Sequence, residues 1–189
     1  MMIDDSPPAS GRLHGTRLLV FLWIVLSPNL GQGQERAQIT LGAGCFWGLE
    51  DTLSQIPGVI DTEVGFMGGE RAFPSYREVM AGYSGHVEVV QVQYNPRKLS
   101  LNELLKAFFA YQRSFDLKTR PKGPGSQYQS IVFFHKEEQK RAYETFIQSC
   151  LEVGQDHIKA TDLRRVSRFY PASAYHQDYY RKRTCQRQK

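Results

Sequence analysis

The sequence predicts an α+β fold: a ferredoxin-like split β-α-β core, extended by a further C-terminal helix, a short strand and an irregular tail. Three observations carry this expectation. Apolar residues alternate with period two over several short runs, they recur at helical spacing over longer ones, and the two kinds follow each other as strand, helix, strand, strand, helix, strand through Phe134. At 189 residues the chain suits one domain with tails and is short for two.

The first strand is Gln38 to Leu41, broken by Gly42 and Gly44. Cys45 to Gln55 then places Phe46, Leu49, Leu53 and the adjoining Ile56 at helical spacing, and Pro57-Gly58 stops that helix. Val59 to Phe66 alternates as a strand that Gly65, Gly68 and Gly69 punctuate, and His86 to Tyr94 alternates again. Pro96 closes it. Ser100 and Glu103 form a capping box ahead of Leu101, Leu104, Leu105, Phe108 and Phe109. A Gly/Pro-rich loop, Lys118 to Ser126, leads into the strand Ile131 to Phe134. The helix Lys136 to Glu152 carries Tyr143, Phe146, Ile147, Cys150 and Leu151 on one face, and Val166 to Phe169 is the additional short strand.

Ahead of this domain, Leu18 to Leu26 is an unbroken apolar run preceded by Arg12 and Arg17 and followed by Ser27, Pro28 and Gly31-Gln32-Gly33. The run resembles the apolar segment of a signal peptide and is far short of the ~20 residues that span a bilayer. Residues 1–33 are therefore expected to be a leader cleaved near Gly33, with no stable membrane span. Export to the periplasm or the secretory pathway is the first expectation, and an organelle or the cytoplasm the alternative. Residues 34–180 form the domain and 181–189 a basic tail.

With 41% hydrophobic and 23% charged residues, the composition excludes a disordered or fibrous chain. The net charge of +5 is concentrated in part at Arg181, Lys182, Arg183, Arg187 and Lys189. This cluster reads as a solvated tail. Neither Cys/His finger spacing nor an aromatic-basic RNA signature accompanies it, so no nucleic-acid partner is expected.

Three cysteines cannot all pair within one chain. Cys150 falls in the apolar stripe of its helix and reads as a small buried hydrophobe. Cys45 is flanked by glycines 42, 44 and 48 and sits at a helix start, where backbone amides and the helix dipole favour a thiolate. Spacing alone leaves it either a nucleophile or a buried cysteine at a strand-helix junction. Glu88 shares a strand face with Val90, Val92 and Tyr94. It is either a desolvated carboxylic acid able to donate a proton or an edge glutamate reaching solvent. His14, His86, His135, His157 and His176 show no ligand spacing with the cysteines, so no metal is expected.

Gly44-Cys45-Phe46-Trp47-Gly48 resembles the active-site signature of the type A peptide methionine sulfoxide reductases. Further blocks match in the same order: Ser75-Tyr76-Arg77-Glu78-Val79, Gly85-His86-Val87-Glu88-Val89-Val90, Gly125-Ser126-Gln127-Tyr128 and Tyr175-His176-Gln177-Asp178-Tyr179. The resemblance implies reduction of the S epimer of methionine sulfoxide, free or in proteins. It makes Cys45 the nucleophile, Glu88 the proton donor, Phe46 and Trp47 the pocket for the sulfoxide methyl group, and Tyr76 and Tyr128 the hydroxyls that bind the sulfoxide oxygen. Cys185 takes the part of the resolving cysteine. No cofactor is implied; thioredoxin or another dithiol is the expected external reductant, and the protein is expected to be a monomer.

The chain departs from the family pattern in two places. Gly123, within Arg120-Pro121-Lys122-Gly123-Pro124-Gly125, stands where the family carries an aspartate, and Gln112-Arg113-Ser114 replaces a His-Asp-Pro. Two other readings stand beside this one: a cysteine hydrolase pairing Cys45 with His86 or His176, and a non-catalytic homologue that binds sulfoxide or methionine and kept the fold after the aspartate loop changed.

Overall fold

The computed structural model describes residues 35–114 and 126–187. The leader and Gly123 therefore lie outside the described residues. Eleven elements organise the chain: β1 (Ala37–Gly42), α1 (Phe46–Ser54), β2 (Val59–Met67), α2 (Tyr76–Met80), β3 (Val87–Tyr94), α3 (Leu101–Ser114), β4 (Ile131–Phe134), α4 (Glu137–Glu152), β5 (Asp162–Arg165), β6 (Tyr170–Pro171) and α5 (Tyr179–Arg187). The strands form one sheet in the order β5-β4-β1-β3-β2-β6. Its centre, β4-β1-β3-β2, is antiparallel throughout, with β3 inserted between β1 and β2, as the split β-α-β reading requires.

Period-two alternation gives the sheet two buried faces. On one face Ile39, Leu41, Val64, Phe66, Val90, Val92 and Tyr94 meet Phe46, Leu49 and Leu53 of α1 and Leu104, Leu105 and Phe108 of α3. Leu49 is wholly buried, so Leu49→Ala would cost about 2–5 kcal/mol. On the other face Met67, Val87, Val89, Ile131 and Phe133 form a second cluster.

That second face explains why residues 166–169 are not the strand their bulk predicts. β5 pairs with β4 at one edge of the sheet and β6 pairs with β2 at the opposite edge. The connecting segment must cross beneath the sheet, and it places Val166 and Phe169 on the second cluster instead of joining a ladder. The paired residues are the ones flanking it. The capping box at Ser100 and Glu103 is present, and Ser75 with Glu78 builds another at the start of α2. Cys150 is half-buried at the rim of the first core. From Tyr179 the chain winds into α5 where an irregular tail was expected, because the start of this helix is anchored against α1 as described below.

Candidate active site

The β1–α1 junction sets the position of Cys45. Gly44 has φ 76, a left-handed conformation that a side chain would strain, and this turn makes Cys45 the N-cap of α1. The residue is exposed. Backbone amides of Trp47 and Gly48 hydrogen-bond to the sulfur and favour a thiolate, as the helix-start argument requires, yet the thiol is pushed up overall. Enclosure of the sulfur is the largest cause, and the negative charge of Glu88 adds to it. The expectation of a lowered thiol pKa is therefore corrected for this state. It counts the amides and omits first the desolvation of the sulfur and then the neighbouring carboxylate.

Glu88 lies on β3 directly opposite Phe66 and is 1% exposed, which removes the reading of an edge glutamate in solvent. Burial pushes its pKa up to about 7, against the opposing effect of the Phe46 N–H, which donates to Oε2 at 3.0 Å. A carboxyl group in this range can hold a proton near neutral pH and give it up during a reaction.

Aromatic rings wall the site. Phe46 is fully buried, with ring centroids 5.9 Å from Phe66 and 5.6 Å from His176. The indole of Trp47 stacks flat on Tyr179, 3.6 Å between centroids and 4° between planes, and its Nε1–H donates to His176 Nδ1 at 3.2 Å. That bond needs Nδ1 unprotonated. Burial lowers the His176 pKa and so supports the neutral ring. Tyr76, the first residue of α2, stacks on the other part of this wall, 4.5 Å from the His176 ring. Its hydroxyl is pushed up to about 12 by burial first, then by the charges of Glu88, Tyr128, Cys45 and Tyr175, so it remains a hydrogen-bond donor. Tyr128 sits in a short 3-10 turn, Ser126–Tyr128, and its hydroxyl donates to the Met80 sulfur at 3.6 Å.

Cys45, Glu88, Phe46, Trp47, Tyr76 and Tyr128 are thus drawn to one end of the sheet. Cys185 lies in the backbone of α5, and its side chain is outside the described residues. Three contributors carry no signal in residue spacing. Glu50 is 2% exposed on α1; its Oε2 accepts the Asp178 N–H at 2.8 Å and its Oε1 has no partner among the described residues. Burial pushes this carboxyl up to about 7. Gln177 bonds both amide atoms to the Val64 backbone and so pins the same segment to β2. Tyr111 of α3 places its hydroxyl 2.6 Å from where a Cβ on Gly48 would stand, so any larger residue there would have to displace that hydroxyl.

Neither histidine serves as a base for Cys45. His86 accepts the Gly69 N–H at Nδ1 and donates from Nε2 to the Arg71 carbonyl, while His176 Nδ1 is taken by the indole. The hydrolase reading therefore lacks its base. No group of His, Cys, Asp and Glu suited to a metal occurs among the described residues. Nor is any described helix long and apolar enough to cross a membrane. A groove of about 700 Å³ between α3 and α4, lined by Lys106, Phe109, Arg113, Phe146 and Cys150 among others, shares no residue with the site.

Comparison with known proteins agrees with this geometry. The family model for peptide methionine sulfoxide reductase matches residues 37–189. A peptide methionine sulfoxide reductase MsrA of Natronomonas pharaonis is 40% identical over 147 residues, covering 77% of this chain and 83% of its own. The reduced form of Mxr1 from Saccharomyces cerevisiae superposes with a TM-score of 0.68 at 30% identity, over 79% of this chain and 87% of that one. Mxr1 in complex with Trx2 superposes with a TM-score of 0.52 at 26% identity, over 78% and 86% of the two chains. With the matched region spanning the whole domain and the signature residues gathered at one site, the chain belongs to the peptide methionine sulfoxide reductase family of oxidoreductases.

Proposed function

We propose that the chain reduces the S epimer of methionine sulfoxide, free or in proteins, to methionine and so repairs oxidative damage. The single observation that carries this reading is a buried, protonatable Glu88 that accepts the N–H of Phe46, the residue next to Cys45 at the cap of α1. Sulfoxide sulfur is a poor electrophile until its oxygen gains a proton, so a thiolate and an acid are needed together.

The Cys45 thiolate attacks the sulfoxide sulfur while Glu88 gives its proton to the oxygen. Tyr76 and Tyr128 hydrogen-bond that oxygen, and Phe46 and Trp47 hold the methyl group. The sulfur–oxygen bond breaks, methionine leaves with two electrons from the Cys45 sulfur, and the oxygen remains as Cys45 sulfenic acid. Attack by the Cys185 thiolate releases water and forms a disulfide. A dithiol of the thioredoxin class then reduces it and is itself oxidised. The complex of Mxr1 with Trx2 supports that class of reductant. Every residue named belongs to one chain, so a monomer suffices. The leader would send the enzyme to an exported compartment or an organelle.

Incubation with dithiothreitol and separate S and R epimers of a methionine sulfoxide peptide tests the reading. Turnover of the S epimer alone is expected, since each reductase class handles one epimer. Turnover of the R epimer alone, or binding of sulfoxide without turnover, would overturn it.

A further inference from the structure

Beside the aromatic wall, the segment between β2 and α2 presents Phe73 to solvent. This ring is 75% exposed and its backbone has φ 51, a region that costs a bulky L residue about 1–2 kcal/mol. Pro74 follows it and narrows the allowed conformations further. The segment is nevertheless well held. His86 grips it from beneath through the Gly69 N–H and the Arg71 carbonyl, and the Ser75–Glu78 capping box fixes its far end. A strained, exposed aromatic on a braced segment points to a contact the isolated chain does not make.

The neighbours of Phe73 define that contact. Its ring meets Tyr170 edge-on at 5.6 Å, and the Arg168 guanidinium lies over both rings, 5.0 Å from the Phe73 centroid and 5.4 Å from that of Tyr170. Arg168 is exposed and has no ion-pair partner among the described residues, whereas the nearby Arg71 is paired with Glu78. The two rings hold its planar donors in a fixed orientation. Tyr170 is paired with Phe66, whose ring contacts both Phe46 and Tyr76, so this platform continues the wall of the active site.

We propose that Phe73, Tyr170 and Arg168 form a subsite for an acidic side chain neighbouring the methionine sulfoxide in an extended peptide. The carboxylate pairs with the guanidinium and the peptide packs on the Phe73 ring. The inference rests on the reductase reading and narrows its substrate class to oxidised segments carrying Asp or Glu beside the sulfoxide.

Short methionine S-sulfoxide peptides with Glu or Lys scanned through the flanking positions test it, with free methionine sulfoxide as the reference reaction. At one flanking side kcat/KM for the Glu peptide should exceed that for the Lys peptide by about threefold to fivefold at low salt, the scale of an exposed ion pair, and less at high salt. Arg168→Gln should bring the ratio close to one. Phe73→Gly suits the positive φ and so preserves folding, and it should reduce kcat/KM for peptides relative to the free amino acid. A charge preference that survives Arg168→Gln, or no preference at any position, would overturn the inference while leaving the reductase reading intact. Failure to turn over any sulfoxide would remove both.

Discussion

The backbone N–H of Phe46 donates to Oε2 of Glu88 at 3.0 Å, tying the first turn of α1, and the thiol at its cap, to a carboxyl group buried within the sheet. The two ionisations oppose each other. An ionised Glu88 raises the Cys45 pKa, and loss of that charge on protonation eases thiolate formation. The reactive pair is therefore a protonated Glu88 beside a deprotonated Cys45, one proton shared between two sites.

Glu88→Gln should move two observables in opposite directions. The amide has the shape of the acid but no negative charge, so Cys45 should ionise at lower pH and react faster with iodoacetamide at fixed pH, read at the Cys45 peptide by mass spectrometry. The same variant cannot donate an acidic proton, so single-turnover sulfoxide reduction should slow by about 100-fold to 10,000-fold. In the parent the one-proton state fills between the two ionisations, so that rate should rise as pH passes about 7, where the pair gives up its first proton, and fall only when the second leaves at the raised Cys45 pKa. An unchanged single-turnover rate would make Glu88 a structural residue.

Much of this site was legible because strands and helix starts have simple periods. Alternation in β3 put Glu88 on the face of Val90, Val92 and Tyr94, and the glycines before Cys45 marked a helix start. What stayed hidden depends on contacts far apart in sequence. Glu50 reads as an ordinary polar residue of α1 because its partner, Asp178, lies 128 residues away. α5 carries too few apolar residues to signal a docked helix, and its start is anchored by the Tyr179 ring on Trp47 and the Asp178 N–H on Glu50. β6 is two residues long, too short for any periodicity to show.

Glu50 should act on the site through the tail. Its bond to the Asp178 N–H holds a residue with φ 51 just before Tyr179, and Tyr179 sets the indole plane. Glu50→Ala should free that segment, raise KM for the sulfoxide and alter Trp47 emission in a Trp23→Phe background. Glu50→Gln still offers an acceptor and should largely restore both. The carboxyl also makes stability pH-dependent. A folded pKa near 7 against an ordinary 4.5 means that its contribution is complete below about 4.5 and lost as pH rises to about 7. Melting temperature should therefore drop less between pH 5 and pH 8 in Glu50→Gln than in the parent.

Gly48 and Tyr111 should show reciprocal packing. A Cβ at position 48 would stand 2.6 Å from the Tyr111 hydroxyl but 3.5 Å from the ring carbon bearing it. Gly48→Ala alone should destabilise by about 1–3 kcal/mol, the usual cost of forcing extra volume into a packed site. Adding Tyr111→Phe removes the obstructing oxygen and should recover most of that loss in a urea melt. If the double variant is no more stable than Gly48→Ala, backbone freedom at Gly48 is the cause and the hydroxyl is not.

Cys185 is where geometry and chemistry make the most specific demand. Its backbone belongs to α5, whose start is fixed against α1 by the Trp47–Tyr179 stack and the Glu50–Asp178 bond. A disulfide to Cys45 needs Cα atoms closer than about 7 Å, so a Cys45–Cys185 bond requires the far end of this short helix to unwind, which few apolar residues oppose. Cys185→Ser should therefore release one equivalent of methionine in a single turnover, lose recycling by thioredoxin and retain some recycling by small thiols. Peptide mapping of the parent after one turnover should find Cys45 joined to Cys185. Cys45→Ser should release no methionine at all, since a hydroxyl cannot replace the thiolate. If Cys45 sulfenic acid instead persists in the parent and Cys185→Ser recycles normally, resolution comes directly from the external thiol and the thiol of α5 is incidental.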